Sequence, residues 1–330
     1  MQQTRSAPGG TVDSTGAAGG VRASGRIRAS GSWRGWLTCL LGLAWLVDAA
    51  LQYQPYMFTK AFPHDIIRPT AAGNPGWVRG PIDWSATLMS HHLVLLNAAF
   101  ASLQLVIALG LLWRRTRKPA LVVSIAWALS VWWMGEGLGG ILIGPVSLLD
   151  GLPGGALLYA VIAVLLWPRR SAPEGSAPRS VATDSPLGRF GALGLWVVLW
   201  AWFAIETLLP ANRAAGAMHD TVAGMADGEP HWIRSINTWG ADLLAGRGLA
   251  ASIVLAVCLL LIAGCLFVPS LTRPGLVLAI ALSLVIWVVA QDFGEIATGT
   301  ATDVNAAPLL ALLALCYWPT SRRRTHRPLR

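Results

Sequence analysis

Residues 248–268 read GLAASIVLAVCLLLIAGCLFV, an apolar run without a charged side chain. A helix rises about 1.5 Å per residue, so about 20 such residues cross the hydrocarbon core of a bilayer. Over the whole chain, 54% of the 330 residues are hydrophobic and only 12% are charged. A soluble protein of this size needs a more highly charged surface. The sequence therefore predicts an all-α polytopic membrane protein whose main partner is the lipid bilayer.

Seven further segments are similar in apolar character, which predicts a bundle of about eight transmembrane helices. The predicted bounds are 35–53, 86–113, 119–144, 153–167, 190–209, 247–268, 275–298 and 306–318. The fourth and eighth segments are the shortest. Residues 1–34 are rich in Gly, Ala, Ser and Arg, which is typical of a disordered tail.

The basic residues predict the orientation of the helices. Of the 25 Lys and Arg residues, 19 fall in the tails, in the connections near residues 113–119 and 273, and in the central linker. By the positive-inside rule, these regions and both termini are cytoplasmic in a multi-pass protein of the cell membrane. The basic residues form short clusters between apolar runs and no continuous basic surface, so no nucleic-acid partner is expected.

An internal repeat is visible at a constant offset of 155 positions. The segment GNPGWVR at 73–79 mirrors GEPHWIR at 228–234, and Trp132 corresponds to Trp287. Self-similarity at one offset indicates a duplication. Because each unit holds four helices, the two units are expected to enter the membrane in the same, parallel orientation. The predicted organisation is a tail (1–34), a first repeat (35–170), a linker (171–187), a second repeat (188–319) and a basic cytoplasmic tail (320–330).

Five acidic residues fall within the predicted spans, near their extracytoplasmic ends. They are Asp48, Glu136, Glu206, Asp292 and Glu295. An ionised side chain in a bilayer costs roughly 2.5 to 3.5 kcal/mol on insertion scales, so each requires a partner or a function. One interpretation is structural: the carboxyls cap helices, reach the interface or pair with Arg234. The other is a binding site for a cation, a proton or a small polar solute.

The outer loops, 54–84 and 210–246, carry the repeated pattern G-x-P-x-W-x-R. Its arginines, Arg79 and Arg234, either belong to an interfacial lid that binds phosphate or loop carbonyls, or clamp a substrate over the acids. His91 and His92 are candidate metal ligands at the same side, although no HxxxH or HxxE spacing accompanies them. The cofactor, whether a metal or a haem, stays open.

No nucleophile elbow, phosphate loop or dinucleotide fingerprint is present, so no catalytic residue is assigned and the sequence does not favour an enzyme. Four spans with a long first outer loop, a basic connection and a Gly-rich third helix (Gly135–Gly140) resemble the DoxX-like four-helix membrane proteins. The resemblance covers residues 35–168 and 187–319, as a tandem fusion. It implies a membrane partner of redox or quinone chemistry.

Three functions follow from these patterns. The first is binding or transport of a cation, proton or small polar solute through the acidic residues. The second is a DoxX-like redox-associated subunit, in which an apolar cleft near Trp132, Trp133 and Trp287 holds a quinone or a lipid. The third is a membrane scaffold without chemistry.

Overall fold

The computed structural model describes residues 24–168 and 180–320, and every regular element within those ranges is a helix. The α-helices are α1 (Ser24–Gln52), α2 (Gly76–His91), α3 (Leu93–Leu112), α4 (Arg117–Met134), α5 (Gly155–Leu166), α6 (Gly188–Leu208), α7 (Ala217–Gly224), α8 (His231–Leu244), α9 (Gly248–Gly264), α10 (Pro269–Val289) and α11 (Ala306–Cys316). The predicted all-α class is therefore confirmed.

In the described part of the chain, five helices are long and apolar enough to cross a membrane. They are α1 from Trp33, α3, α6, α9 with the turn that follows it to Phe267, and α10. Large apolar side chains stay exposed on these helices, among them Leu95, Phe190 and Val254. Contiguous apolar surface of this kind is unfavourable in water and favourable against lipid tails.

Two short helices, α5 and α11, lie at the centre of the bundle. They contain 12 and 11 residues, so each is roughly 17 Å long, about half of the hydrocarbon thickness. Nearly every side chain on both helices is buried, as expected for helices that are apolar on all sides. α5 packs against α11, and α1 packs against both. The two halves of the chain meet at this junction.

Each half has the same packing order. In the first half α1 packs on α3, α3 on α4 and α4 on α5, and in the second half α6 packs on α9, α9 on α10 and α10 on α11. A close contact between a glycine and the neighbouring helix also occurs in both halves. A Cβ added to Gly110 would lie 2.8 Å from the Cβ of Ala120, and one added to Gly275 would lie 2.1 Å from the Cβ of Cys265. At the offset of 155, Gly110 corresponds to Cys265 and Ala120 corresponds to Gly275. The glycine therefore lies on α3 in the first half and on α10 in the second.

A left-handed turn follows α4 and another follows α10. Residues 137–140 all have positive φ values, and so do residues 292–295. Runs of consecutive left-handed residues are rare because each non-glycine member costs roughly 1 to 2 kcal/mol. The first turn has the sequence GLGG and the second DFGE, so the second carries more of this strain. Strain held in this way often marks a functional region.

Matching hydrogen bonds fix the loops that leave these turns. The indole of Trp132 donates to the Pro153 carbonyl at 2.9 Å, and the indole of Trp287 donates to the Val304 carbonyl at 3.0 Å. Each acceptor lies two residues before the start of a short helix, α5 or α11. The loops are thereby held against the ends of α4 and α10.

Two amphipathic helices, α2 and α8, occupy the predicted outer loops. Trp77 and Trp84 on α2 are 59% and 61% exposed, and Trp232 and Trp239 on α8 are 59% and 60% exposed. The spacing of seven residues places each pair on one helix face. Tryptophan at such positions is typical of a membrane–water interface.

Several predicted boundaries were wrong. The predicted spans 119–144 and 275–298 end at Met134 and Val289, because the left-handed turns stop the α-helices. The predicted span 86–113 is divided at His92, where α2 gives way to α3. α1 begins at Ser24, within the range 1–34 that the sequence assigns to the tail.

The remaining parts of the predicted tails and linker, residues 1–23, 171–179 and 321–330, lie outside the described residues. The described end of the linker is packed, because the Ala182 amide donates to the Cys316 carbonyl at 2.9 Å. Arg34 reinforces this contact by donating to the Val181 carbonyl.

Candidate functional site

A cavity of about 920 Å³ lies where α1, α4 and α5 meet the loop before α11. Its polar lining includes five carboxylic acids, contributed by both halves of the chain. They are Asp48, Glu136, Asp150, Glu295 and Asp303. None of the described residues that line the cavity is Lys, Arg or His. The cavity is therefore acidic without an internal counter-charge.

Asp48 lies near the end of α1 and is 2% exposed. One of its carboxylate oxygens accepts a hydrogen bond from the Val304 amide at 3.2 Å, just before α11. The Tyr159 hydroxyl, on α5, lies beside the same carboxyl. Asp48 therefore joins elements from both halves of the chain at the floor of the cavity.

Glu136 follows α4 and caps the start of α5. Its Oε1 accepts from the Ala156 amide at 3.0 Å, while its buried Oε2 has no hydrogen-bond partner among the described residues. Gln291, the residue 155 positions later, makes the same contact in the second half, where its Oε1 accepts from the Ala307 amide at 3.2 Å. A neutral amide is thus sufficient to cap the helix, and the charge of Glu136 is not needed for that purpose.

Asp303 lies opposite Glu136 across the start of α5. A Cβ added to Gly155 would be 3.0 Å from the Oδ1 of Asp303 and 3.8 Å from the Oε1 of Glu136. The Asp303 carboxylate accepts from the Asn305 amide at 2.6 Å and from the Thr302 hydroxyl at 3.0 Å. Gly154 and Gly155 leave the space that these two carboxyls occupy.

Burial and mutual repulsion disfavour ionisation in this loop region. Burial, followed by the nearby Asp303 charge, raises the pKa of Glu136 to about 8. Burial also raises the pKa of Asp303, partly opposed by its two hydrogen bonds. A proton or an external cation lowers the free energy of such a cluster by removing the repulsion.

Of the five acids predicted to bind substrate, three line the cavity, namely Asp48, Glu136 and Glu295. Asp292 is fully buried elsewhere, where it accepts from the side chain of Asn237 at 3.2 Å. Glu206 accepts from the Trp202 indole at 3.0 Å and from the Val146 amide at 3.4 Å, which ties α6 to the first-half loop. Glu136, Asp292 and Glu295 lie in the turns after α4 and α10 and not on those helices.

The two predicted arginines do not line this cavity. Arg79 pairs with Asp83 at 3.7 Å on the exposed side of α2, and Arg234 donates to the Glu229 carbonyl at 3.2 Å. The contact of Arg234 corresponds to the interfacial alternative, in which the arginine binds a loop carbonyl. His91 and His92 are exposed at the α2–α3 boundary. Within the described ranges, no three His, Cys, Asp or Glu side chains are arranged to hold a metal ion.

Several polar residues of the cavity were not among the predicted site residues, including Asp150, Asp303, Tyr159 and Gln104. Asp303 precedes the last apolar run, where only acids inside the predicted spans were considered. Tyr159 and Gln104 lie on α5 and α3, and single polar residues on apolar helices gave no pattern. Position 303 had one usable signal, because an acid three residues before a helix start interacts favourably with the unpaired amides and dipole of the helix N-terminus.

The cavity can hold a positively charged or proton-donating molecule, since its polar atoms are predominantly acceptors. Comparison of the chain with protein-family models, with curated proteins and with solved structures gives no match.

Proposed function

We propose that this chain is a multi-pass protein of the cell membrane, built from two parallel four-helix repeats of a DoxX-like unit, with eight spans and both termini cytoplasmic. The five long apolar helices and their exposed apolar side chains support membrane insertion. In this arrangement α4, α5 and α11 complete the eight. α5 and α11 enter only part of the bilayer, and their loops supply the remaining depth within the protein.

The duplication is supported by contacts that recur in both halves, with Trp287 and Gln291 lying 155 residues after Trp132 and Glu136 and their partners Val304 and Ala307 lying 151 residues after Pro153 and Ala156. The hydrogen bonds of Trp132 and Trp287, and those of Glu136 and Gln291, have the same place relative to the short helix that follows each. The glycine contact between α3 and α4 recurs between the end of α9 and α10 with its partners exchanged. Independent evolution of all three correspondences requires more coincidences than a duplication does.

The function we propose is binding of a cation, proton or small polar solute on the extracytoplasmic side, for storage or transport across the membrane. The observation that carries this proposal is a cavity that is lined by carboxyls of both halves and, among the described residues, by no basic side chain. The departures from the repeat are concentrated here: Asp48 corresponds to the buried Phe203, and Glu136 to Gln291. The proposed site is therefore single and asymmetric.

Flux measurements in liposomes test this function. The triple variant D48N/E136Q/D303N neutralises three of the five cavity carboxyls, those grouped at the start of α5, and keeps comparable side-chain volumes. The matched control is E206Q/D292N, which neutralises two acids outside the cavity. We expect proton-coupled or cation flux to be lost in the triple variant and retained in the control. Equal flux in the triple variant and the wild-type protein would refute the proposed role of the cavity.

A redox-associated subunit is the second candidate, and the apolar part of the same cavity favours it. Phe100 and Trp127 line that part with ring centroids 4.9 Å apart, a suitable wall for a quinone ring. This candidate places the quinone against Phe100 and Trp127 and not in the predicted cleft at Trp132, Trp133 and Trp287. The indoles of Trp132 and Trp287 are already engaged in hydrogen bonds to loop carbonyls. Extraction of the purified protein and measurement of quinone absorbance test it. A protein free of quinone that reduces none with candidate donors would remove the candidate.

A further inference from the structure

The acidic cavity has two chemically different ends. Its apolar end belongs to a cluster formed by α2, the start of α3 and the helical turns before α2, and it includes Phe62, Met89 and Phe100. Its acidic end lies at the junction of α1, α5 and the loop before α11, around Asp48 and Glu136. A ligand that fills the cavity must therefore satisfy both environments.

At the acidic end, buried acceptors lack donors. Gln104 is 7% exposed and lines the cavity, and no described residue donates a hydrogen bond to its carbonyl oxygen. Gln104 on α3 lies at nearly the same level as Asp48 on α1. The two helices run antiparallel, with Gln52 in contact with Asn97 toward one end of the pair and Gly42 beside Leu111 toward the other end, and both residues lie between these two contacts. The Oε2 of Glu136 is likewise buried without a partner. Buried acceptors without donors cost about 1 to 3 kcal/mol each, which a ligand carrying N–H groups can recover.

Size distinguishes an organic ligand from an inorganic ion. The cavity volume of about 920 Å³ is within the range of sites for drug-sized molecules, roughly 300 to 1,000 Å³. The described acids do not form a three-ligand metal site. A bare cation would leave the aromatic end unfilled, and a neutral apolar molecule would leave the carboxyls and Gln104 unpaired.

We infer that the ligand is an amphipathic amine, with a protonated ammonium group among Asp48, Gln104, Glu136 and Asp303 and an apolar body against Phe62, Phe100 and Trp127. This inference rests on the proposed function and names the class of solute. The ammonium donates to the carboxylate and amide oxygens, and the aromatic rings add cation–π attraction at the border of the two ends.

Binding of four probes to the purified protein in lipid nanodiscs tests the inference by calorimetry at about pH 8.5, above the raised pKa of about 8 of Glu136. The probes are 4-phenylbutylammonium, its neutral analogue 4-phenylbutan-1-ol, butylammonium and sodium. We expect 4-phenylbutylammonium to bind at least about tenfold more tightly than each of the others. E136Q, which keeps the helix cap as Gln291 does, should weaken only the ammonium probes, by about tenfold. E206Q should leave all affinities unchanged.

The outcomes separate this inference from the proposed function. If butylammonium or sodium binds as tightly as 4-phenylbutylammonium and E136Q weakens both, the amphipathic class is overturned and the cation site stands. If the alcohol binds as tightly as the amine and E136Q changes neither, both proposals are overturned. If none of the four probes binds to samples whose thermal unfolding shows that the protein is folded, both proposals are also overturned.

Discussion

Replacing Gly275 by alanine perturbs the closest contact between the end of α9 and α10. The new Cβ would lie 2.1 Å from the Cβ of Cys265 and 2.6 Å from its sulfur, well inside contact distance. Overpacking of this kind costs about 1 to 3 kcal/mol, while alanine recovers up to about 1 kcal/mol of helix propensity. We therefore expect G275A to lower the free energy of unfolding by about 1 to 2 kcal/mol, measured by denaturant unfolding in detergent with circular dichroism.

The double variant C265G/G275A makes the reasoning specific. It recreates the Gly110–Ala120 arrangement of the first half, in which one Cβ fits between the helices. A double-mutant cycle should give a favourable coupling of about 1 kcal/mol or more between the two changes. G194A is the matched control, because a Cβ at that position on α6 meets no atom within 4 Å. A neutral G275A, or two single changes whose effects simply add, would refute the proposed close approach.

Four further predictions concern the loops, the acid cluster and the interfacial helices. G139A and G294A place a Cβ 2.2 Å from the Pro153 carbonyl and 2.9 Å from the Val304 carbonyl, at positive φ, so thermal unfolding should report a loss of about 2 kcal/mol or more against a near-neutral G224A. W132F and W287F each remove an indole donor from a loop carbonyl and should cost about 1 to 2 kcal/mol in denaturant unfolding, with W36F, an exposed site, as reference. Because the pKa of Glu136 is raised from 4.5 to about 8, the folded state keeps a proton that the unfolded state releases, so the contribution of Glu136 to the free energy of unfolding falls as the pH rises from about 4.5 to 8. E136Q should remove this part of the pH dependence, while the contributions of the nearby groups Asp48, Tyr159, Asp303 and Glu295 remain. Identical pH profiles for E136Q and the wild-type protein would contradict this prediction. Brominated lipids should quench the fluorescence of Trp77, Trp84, Trp232 and Trp239 at shallow depth, and substitution of all four by phenylalanine should reduce the shallow quenching to that of other exposed indoles such as Trp36 and Trp113. Unchanged shallow quenching in that variant would show that α2 and α8 lie away from the interface.

The sequence was sufficient for the fold class and for most helix positions. Runs such as 248–268 carry no charge over the length of a bilayer span, and few soluble structures tolerate them. The ends of α4 and α10 were beyond the same reasoning. Hydropathy extended the predicted span through the glycine-rich residues 135–144 to Ile141, Leu142 and Ile143, and what stops α4 is the positive φ of Gly137 and its neighbours, a backbone property that hydropathy does not encode.

The candidate site was only partly predictable, because it forms between distant segments. The cost of ionised groups in a bilayer identified Asp48, Glu136 and Glu295, which line the cavity. The same cost also predicted a place in the site for Glu206 and Asp292. Their hydrogen-bond partners are the Trp202 indole and the Asn237 side-chain amide, which no sequence pattern marks. Asp303 belongs to the site through the contact of its neighbour Val304 with Asp48, which depends on how the two halves dock.

The contact between Asp48 and the Val304 amide has a consequence for biosynthesis. The two residues are 256 positions apart. At about 5 to 20 residues per second, a ribosome delivers Val304 roughly 13 to 50 s after Asp48 has left the peptidyl-transferase centre. During that interval the first helix holds a carboxyl that has neither its amide donor nor the short helix that covers it. The newborn first half must therefore keep Asp48 protonated or hydrated until α11 is inserted, which makes the arrival of the last helix the step that completes the cavity.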